Sequence, residues 1–259
     1  MAKRDTSIVQ KVQQIRVQHT MMGGKKLFKL LHNDIEQLGG GVGRDKFFGI
    51  LRQADLLVKR RRRYARTTQS HHRFRVYKNL MADFSPQAPH QAWVCDITYV
   101  RLMGDRFAYL FLVTDAYSRK IVGWQLKESL GLEGALKAVD MAIKQCPVGS
   151  ALIHHSDRGF QYCSHQYVKR LKQNGIQISM AEAGNCYQNA MAERMNGILK
   201  AEYGLDETFA GYRQALEVTR QSIRNYNENR PHWSLNLRMP ADVHAEKNIA
   251  ADRCLAFCN

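Results

Sequence analysis

The sequence predicts an α/β domain preceded by a small all-α, helix-turn-helix domain. Three observations carry this. Apolar residues recur at helical spacing up to about residue 54. From Trp93 onward, β-branched and aromatic runs alternate with helical patterns. The charge is divided unevenly between these two parts. The chain has 259 residues, enough for one large domain or two small ones, and enough to bury a core without disulfides. At 44% hydrophobic and 24% charged residues it has an ordinary globular composition, which excludes disordered, collagen-like and coiled-coil readings. The longest uncharged apolar run, Phe107 to Val113, is far short of the roughly 18 residues of a membrane helix. Lys3, Arg4 and Asp5 are followed by no apolar stretch, so the N-terminus is not a secretion signal and a cytosolic protein is expected.

The first domain, residues 1–63, reads as short helices. Ser7 is placed to cap a segment with Ile8, Val9, Val12 and Ile15 on one side. Gly23-Gly24 breaks the chain, and Leu27, Leu30, Leu31 and Ile35 form a second apolar stripe. Gly39-Gly40-Gly41 and Gly43 make a turn. A third helix follows from Arg44, with Phe47, Ile50, Leu51 and Ala54 inward and Arg44, Lys46 and Arg52 outward. A helix, a glycine turn and a helix with basic residues in its first turn form a helix-turn-helix layout, although a plain three-helix bundle has the same periodicity. Charge decides between them. Residues 1–80 hold 19 Lys and Arg against 5 Asp and Glu, so nearly all of the net +16 lies in the first third of the chain. Lys59, Arg60, Arg61, Arg62 and Arg63 are its extreme. A phosphate-binding module for nucleic acid is therefore expected. Residues 64–90 read as an extended basic linker.

In the second domain, residues 91–245, Trp93 to Val100 is a strand with a carboxylate, Asp96, in its middle. Arg106 to Thr114 and Lys120 to Lys127 complete a three-stranded antiparallel meander, with the turn Asp115-Ala116-Tyr117-Ser118 between the last two. Leu132 to Gln145 is a helix, and Ala151 to His155 a short strand ending at Asp157. Ser164 caps the next helix, which Gly175 ends. Ile176 to Met180 is a fifth strand, Gln188 to about Tyr203 a further helix, and residues 246–259 a tail. The order β-β-β-α-β-α-β-α describes a mixed sheet flanked by helices, the ribonuclease-H-like arrangement.

Carboxylates on strands are informative because a half-buried charge needs a partner. Asp96 lies mid-strand and Asp157 at a strand end, while Glu193 sits on a helix with Asn189, Asn196 and Lys200 on much the same face. If the three converge, mutual repulsion raises their pKa values unless a cation neutralises them, and hard oxygen ligands suit Mg²⁺ or Mn²⁺. Spacing alone leaves open that any of the three is an ordinary surface acid. The six cysteines, Cys95, Cys146, Cys163, Cys186, Cys254 and Cys258, lack the regular spacing of a disulfide framework or zinc ribbon and read as reduced thiols.

Several ordered words sharpen this picture. They are Trp93-x-x-Asp96-Ile97-Thr98, His155-Ser156-Asp157-Arg158-Gly159 and Asn185 to Glu193, then Leu199-Lys200-Ala201-Glu202 and Tyr226-Asn227-Glu228-Asn229-Arg230-Pro231-His232. Thirty-five residues separate Asp157 from Glu193. Together the words closely resemble the insertion-sequence-3-type transposases and, more distantly, the retroviral integrases, over roughly residues 20 to 245. The resemblance implies a DNA transposase with a retroviral-integrase-like catalytic core in which Asp96, Asp157 and Glu193 are the catalytic triad holding two divalent ions, Mg²⁺ or Mn²⁺. Lys200 matches a basic position that contacts DNA near the scissile end. His155 either positions the site backbone or packs, and Asn189 either orients Glu193 or caps its helix. Asp115 reads as a turn former. Phe160 departs from the pattern, in which a small polar residue commonly follows Asp-Arg-Gly.

The implied partners are double-stranded DNA, as element terminal repeats and target, and further copies of the chain. An upstream-frame partner or fused segment is also implied, because members of the family often carry an additional N-terminal helix-turn-helix. The implied setting is the bacterial cytosol. Two other readings stay open: a DNA-binding regulator with a passenger catalytic domain, against which the intact triad argues, and a plain nuclease that cuts without joining.

Overall fold

A computed structural model describes residues 3–39, 41–58, 74–182 and 189–246. The chain divides into two units: Met1–Arg66 together with Ala201–Gly204, and Thr67–Lys200 together with Leu205–Asn259.

The first unit contains α1 (Lys3–Gln18), α2 (Gly24–Leu30), α3 (His32–Gln37) and α4 (Arg44–Gln53). Ile8, Val12, Met22, Leu27, Leu31, Ile35, Val42, Phe47, Ile50 and Leu51 form its core, which includes each apolar stripe expected from periodicity. Two details differ from expectation. Ser7 does not cap α1: the helix starts at Lys3, and the Ser7 hydroxyl donates back to the Lys3 carbonyl at 3.2 Å. The second stripe is two helices rather than one, because the chain leaves helical geometry at Leu31 (φ −88°, ψ 8°) while its side chain stays in the core. Arg44, Lys46 and Arg52 are exposed on α4, as expected, with Arg44 paired to Asp45 at 3.0 Å.

The second unit is built on one sheet. Its strands are β1 (Ala92–Leu102), β2 (Arg106–Asp115), β3 (Ile121–Lys127), β4 (Ile153–Ser156), β5 (Gln177–Met180) and the short β6 (Thr208–Phe209). The order is β3-β2-β1-β4-β5, with β6 pairing to β1. The first three strands are antiparallel, whereas β4, β5 and β6 join in parallel. The helices are α5 (Leu132–Ile143), α6 (Phe160–Cys163), α7 (His165–Gln173), α8 (Ala190–Tyr203) and α9 (Tyr212–Asn229). The mixed sheet flanked by helices matches the predicted arrangement.

The two-residue period of β1 assigns its side chains to opposite layers. Trp93 and Cys95 join the larger core with Phe111, Val113, Val122 and the inner faces of α5, α6 and α7. Ala92 and Val94 face the other way and cluster with Ile153, Ala116 and Ala192 of α8. The first layer is unusually thin. A methyl group at Gly123 of β3 would run into the Ala138 carbonyl of α5, and one at Gly134 of α5 into the Phe111 ring, so glycine at both positions permits the close approach. Ser164 caps α7 by accepting from the Tyr167 amide, as expected, and Gly175 leaves the helix with φ +68°.

Residues 74–90, part of the expected extended linker 64–90, contain no helix or strand but are anchored to the α/β unit. Phe74 and Tyr77 pack on the larger core, Leu80 and Met81 on the smaller one, and the Leu80 amide donates to Ser179 Oγ at 2.8 Å. Their apolar side chains, together with the Leu80 amide, decide the placement. No helix among the described residues is long and apolar enough to cross a membrane.

Candidate active site

The parallel pairing of β1 with β4 sets Val94 opposite His155. Two residues further on, Asp96 in β1 and Asp157 just beyond β4 are drawn level. Asp96 shares the sheet face of Val94, and α8 lies over that face: Asn196 donates from Nδ2 to Asp96 Oδ2 at 2.7 Å across a sequence separation of 100 residues. Glu193, one helical turn before Asn196, is exposed and makes no hydrogen bond or ion pair among the described residues.

Burial and neighbouring charge both act on Asp96. Desolvation, then the charge of Asp157 and, more weakly, that of Glu193, push the Asp96 carboxyl up to about 7. The Ile97 amide, 2.9 Å from Oδ1, and the Asn196 amide oppose the rise by favouring the charged form. Neither donor carries a charge, so the protein leaves the repulsion only partly answered. Asp157 Oδ1 accepts from the Gly159 amide at 2.9 Å, which folds the Asp-Arg-Gly turn back on itself. Burial, followed by Asp96 and Asp157, also raises the Cys95 thiol well above its usual range; Cys95 is on the opposite face of β1 and belongs to the core.

Among the described residues, no three His, Cys, Asp or Glu side chains are disposed to hold one ion as they stand. The donor set nevertheless fits a hard divalent cation in its chemistry. It comprises three carboxylates, two of them acting on the third, and Asp96 is held only by neutral amides.

The neighbouring expected residues have definite places. Lys200 Nζ stands 4.0 Å from the centroid of the Tyr99 ring, a cation–π contact that the sequence did not indicate. His155 is buried, with Nδ1 2.8 Å from Ser179 Oγ; the same hydroxyl accepts from Leu80, so His155 fastens β4 to β5 and to the 74–90 segment. Asn189 donates from Nδ2 to the Cys95 carbonyl at 3.3 Å, which ties the start of α8 to β1. Asp115 is fully buried and accepts from the amides of His90, Tyr117 and Ser118 and from the Ser118 hydroxyl, a turn former with a wider reach than expected. Phe160 is exposed, and its ring lies 5.4 Å from that of Phe74. Lys59, Arg60, Arg61, Arg62 and Arg63 lie outside the described residues, as do Cys186, Cys254 and Cys258.

In the sequence, Asn196 is marked only by sharing the helix face of Glu193. Its role depends on the pairing of α8 with β1, for which residue spacing holds no signal.

Two models of the integrase core domain match the chain, over residues 86–186 and 174–240. The 31 kDa protein of insertion element IS600 from Shigella sonnei is 36% identical over 230 residues, covering 88% of this chain and 84% of that protein. Transposase InsF for insertion sequence IS3A of Escherichia coli K12 is 34% identical over 179 residues, or 69% of this chain and 60% of its own length. The chain belongs to the insertion-sequence transposases with an integrase core. Polynucleotidyl transfer is the chemistry that membership of this family implies. The fold of the transposase also resembles the HTLV-2 integrase catalytic core domain in complex with magnesium, with a TM-score of 0.50 at 17% identity over 62% of this chain and 99% of that one. The simian T-cell lymphotropic virus intasome gives a TM-score of 0.51 at 18% identity, over 88% of this chain and 72% of that one.

Proposed function

We propose that this chain cuts and joins DNA at the ends of its insertion sequence. Hydrolysis of a phosphodiester at the element end frees a 3′-hydroxyl, whose oxygen then attacks a phosphodiester of the target and displaces the target's own 3′-oxygen. No bond between protein and DNA forms. The observation that carries this reading is the parallel register of β1 and β4, which brings Asp96 and Asp157 level beneath the α8 face from which Asn196 donates to Asp96.

Asp96, Asp157 and Glu193 act as the catalytic triad and would hold two Mg²⁺ or Mn²⁺ ions. When bound, these ions supply Lewis-acid polarisation and offset the charge that builds on the phosphate. Asn196 and the Ile97 amide favour the ionised form of Asp96 and orient it. His155 and Asn189 hold the strands and helix that carry the triad in register. Lys200, steadied over Tyr99, contacts a backbone phosphate near the scissile end.

Residues 1–63 hold DNA through Arg44, Lys46 and Arg52 and through the basic run Lys59, Arg60, Arg61, Arg62 and Arg63; residues 91–245 serve as the catalytic core. Binding through phosphates weakens steeply with salt. The element's terminal repeats and the target are the double-stranded substrates. Copies of the chain assemble on them in the cytosol, with or without a segment from an upstream reading frame.

The test uses DNA carrying the element's terminal repeats, with wild type compared with Glu193→Gln in Mg²⁺. Nicked and joined products from wild type alone, with equal binding by both proteins, support the reading. Full activity of Glu193→Gln would end it. Equal binding with no cutting by either protein points instead to a regulator that occupies element ends.

A further inference from the structure

A cavity of about 660 Å³ opens in the α/β unit on the sheet face that carries Asp96. Val94 of β1, His155 of β4 and Ala190 of α8 line it, and each lies two or three residues before one of the three carboxylates Asp96, Asp157 and Glu193. Two strand residues span about 7 Å. A nucleic-acid strand rises about 3.4 Å per nucleotide. The cavity wall is therefore within about two nucleotides of a phosphodiester held at the carboxylates.

The other side of the cavity has the chemistry of a nucleotide site. Phe84, Tyr117 and Arg119 line it, and Phe84 is exposed. The half-buried Arg119 donates its side-chain hydrogen bonds to neutral groups. Its Nη1 donates to the Ala116 carbonyl and to Met191 Sδ, the latter at 2.7 Å, and its Nε to Ser234 Oγ at 3.3 Å. Asp115 acts on it through space, while the Asp115 oxygens accept from His90, Tyr117 and Ser118. The Nη2 group has no acceptor among the described residues, which leaves a guanidinium edge for an anion. A free inorganic anion would satisfy that edge but leave most of the volume and the aromatic rings unused. A nucleotide uses all three.

We propose that this cavity is a subsite for one unpaired nucleotide flanking the phosphodiester that is cut, with its phosphate on Arg119 and its base against Phe84 and Tyr117. The proposal rests on the transposase reading and deepens it: opening the terminal base pair becomes part of substrate recognition, and ends that open readily are preferred.

The test uses the full chain without metal, so that nothing is cut. The probe is a duplex ending in the element's terminal repeat, with its last nucleotides unpaired and 2-aminopurine placed beside the scissile phosphodiester. Binding by wild type is expected to quench the probe. Phe84→Ala should recover half or more of the fluorescence, and Arg119→Gln should lower the preference for unpaired over paired ends by roughly tenfold, the scale of one base stack or one phosphate contact. Arg119→Lys, which keeps the charge in a position tied into the fold, should recover much of that preference. Wild type that binds without quenching overturns the subsite, as does quenching that persists undiminished in both Phe84→Ala and Tyr117→Ala. If wild type binds and, with Mg²⁺ added, cuts while the probe stays silent, only the subsite fails. If wild type binds no element end, the subsite and the transposase reading fall together.

Discussion

Asp96 and Asp115 stand on neighbouring strands of one sheet in opposite electrostatic settings. Asp115 is fully buried, and four donors from His90, Tyr117 and Ser118 converge on its carboxylate. A ring of contacts backs them: Ser118 Oγ lies 2.9 Å from His244 Nδ1, and His244 Nε2 lies 3.1 Å from His90 Nε2. Asp96 has two neutral donors and is pressed by two further carboxylates. Burial by itself therefore does not mark a reactive acid. The distinction is whether the protein's own donors answer the charge, as at Asp115, or leave it for something else to complete, as at Asp96.

The largest test of this contrast is in stability. Asp115→Ala leaves several buried donors unserved and should cost about 3–5 kcal/mol in urea unfolding. Asp96→Asn removes a repelled charge and should leave the metal-free protein as stable or more so, while lowering nicking roughly a thousandfold, the scale of several kcal/mol of lost charge stabilisation. Equal destabilisation by the two changes would break the comparison. The next effect depends on pH. The Asp96 carboxyl, at about 7 in the folded protein against an ordinary value near 3.8, keeps a proton that the unfolded chain gives up. Stability contributed by this group therefore falls as pH rises between those values, and the whole penalty is present above pH 7. Mg²⁺ should raise the thermal midpoint more at pH 8 than at pH 5.5. EDTA should remove that gain, and Asp96→Asn should flatten its pH dependence. The smallest effect belongs to Asn196→Ala. Without the donation that favours the charged form, the Asp96 carboxyl rises further, and the alkaline-going limb of the nicking rate should move up by about one pH unit.

The parts of the fold legible in the sequence were those written in local periodicity. The stripes of α1 and α4, the β-branched and aromatic run of β1 and the Ser164 cap of α7 all appear where the sequence put them. The four-residue α6 and two-residue β6 escaped notice because elements so short have no period to read. Leu31 concealed the break between α2 and α3 because an apolar residue continues the stripe whether or not the helix continues. Residues 74–90 look like linker from their composition, although Phe74 and Leu80 dock on clusters assembled from distant strands. At the site, the ordered words drew attention to Asp96, Asp157 and Glu193, but not to the bonds that distinguish them. Asn196 meets Asp96 across 100 residues, and His244 meets His90 across 154, at distances set by tertiary packing alone.

The glycines at the β3–α5 contact have a consequence for motion. At Gly123 the strand meets the Ala138 carbonyl of the helix with no side chain between, and at Gly134 the helix backbone rests directly on the Phe111 ring of β2. At Gly123 no rotamer can swing aside to admit water, so the strand and helix part there only by moving their backbones. The amides of this layer should exchange with solvent deuterons only when the whole α/β unit unfolds, and the slowest-exchanging protons of that unit should lie along β2 and β3. The pair behaves as a rigid keel under the sheet, while β1 presents its other face to whatever approaches Asp96.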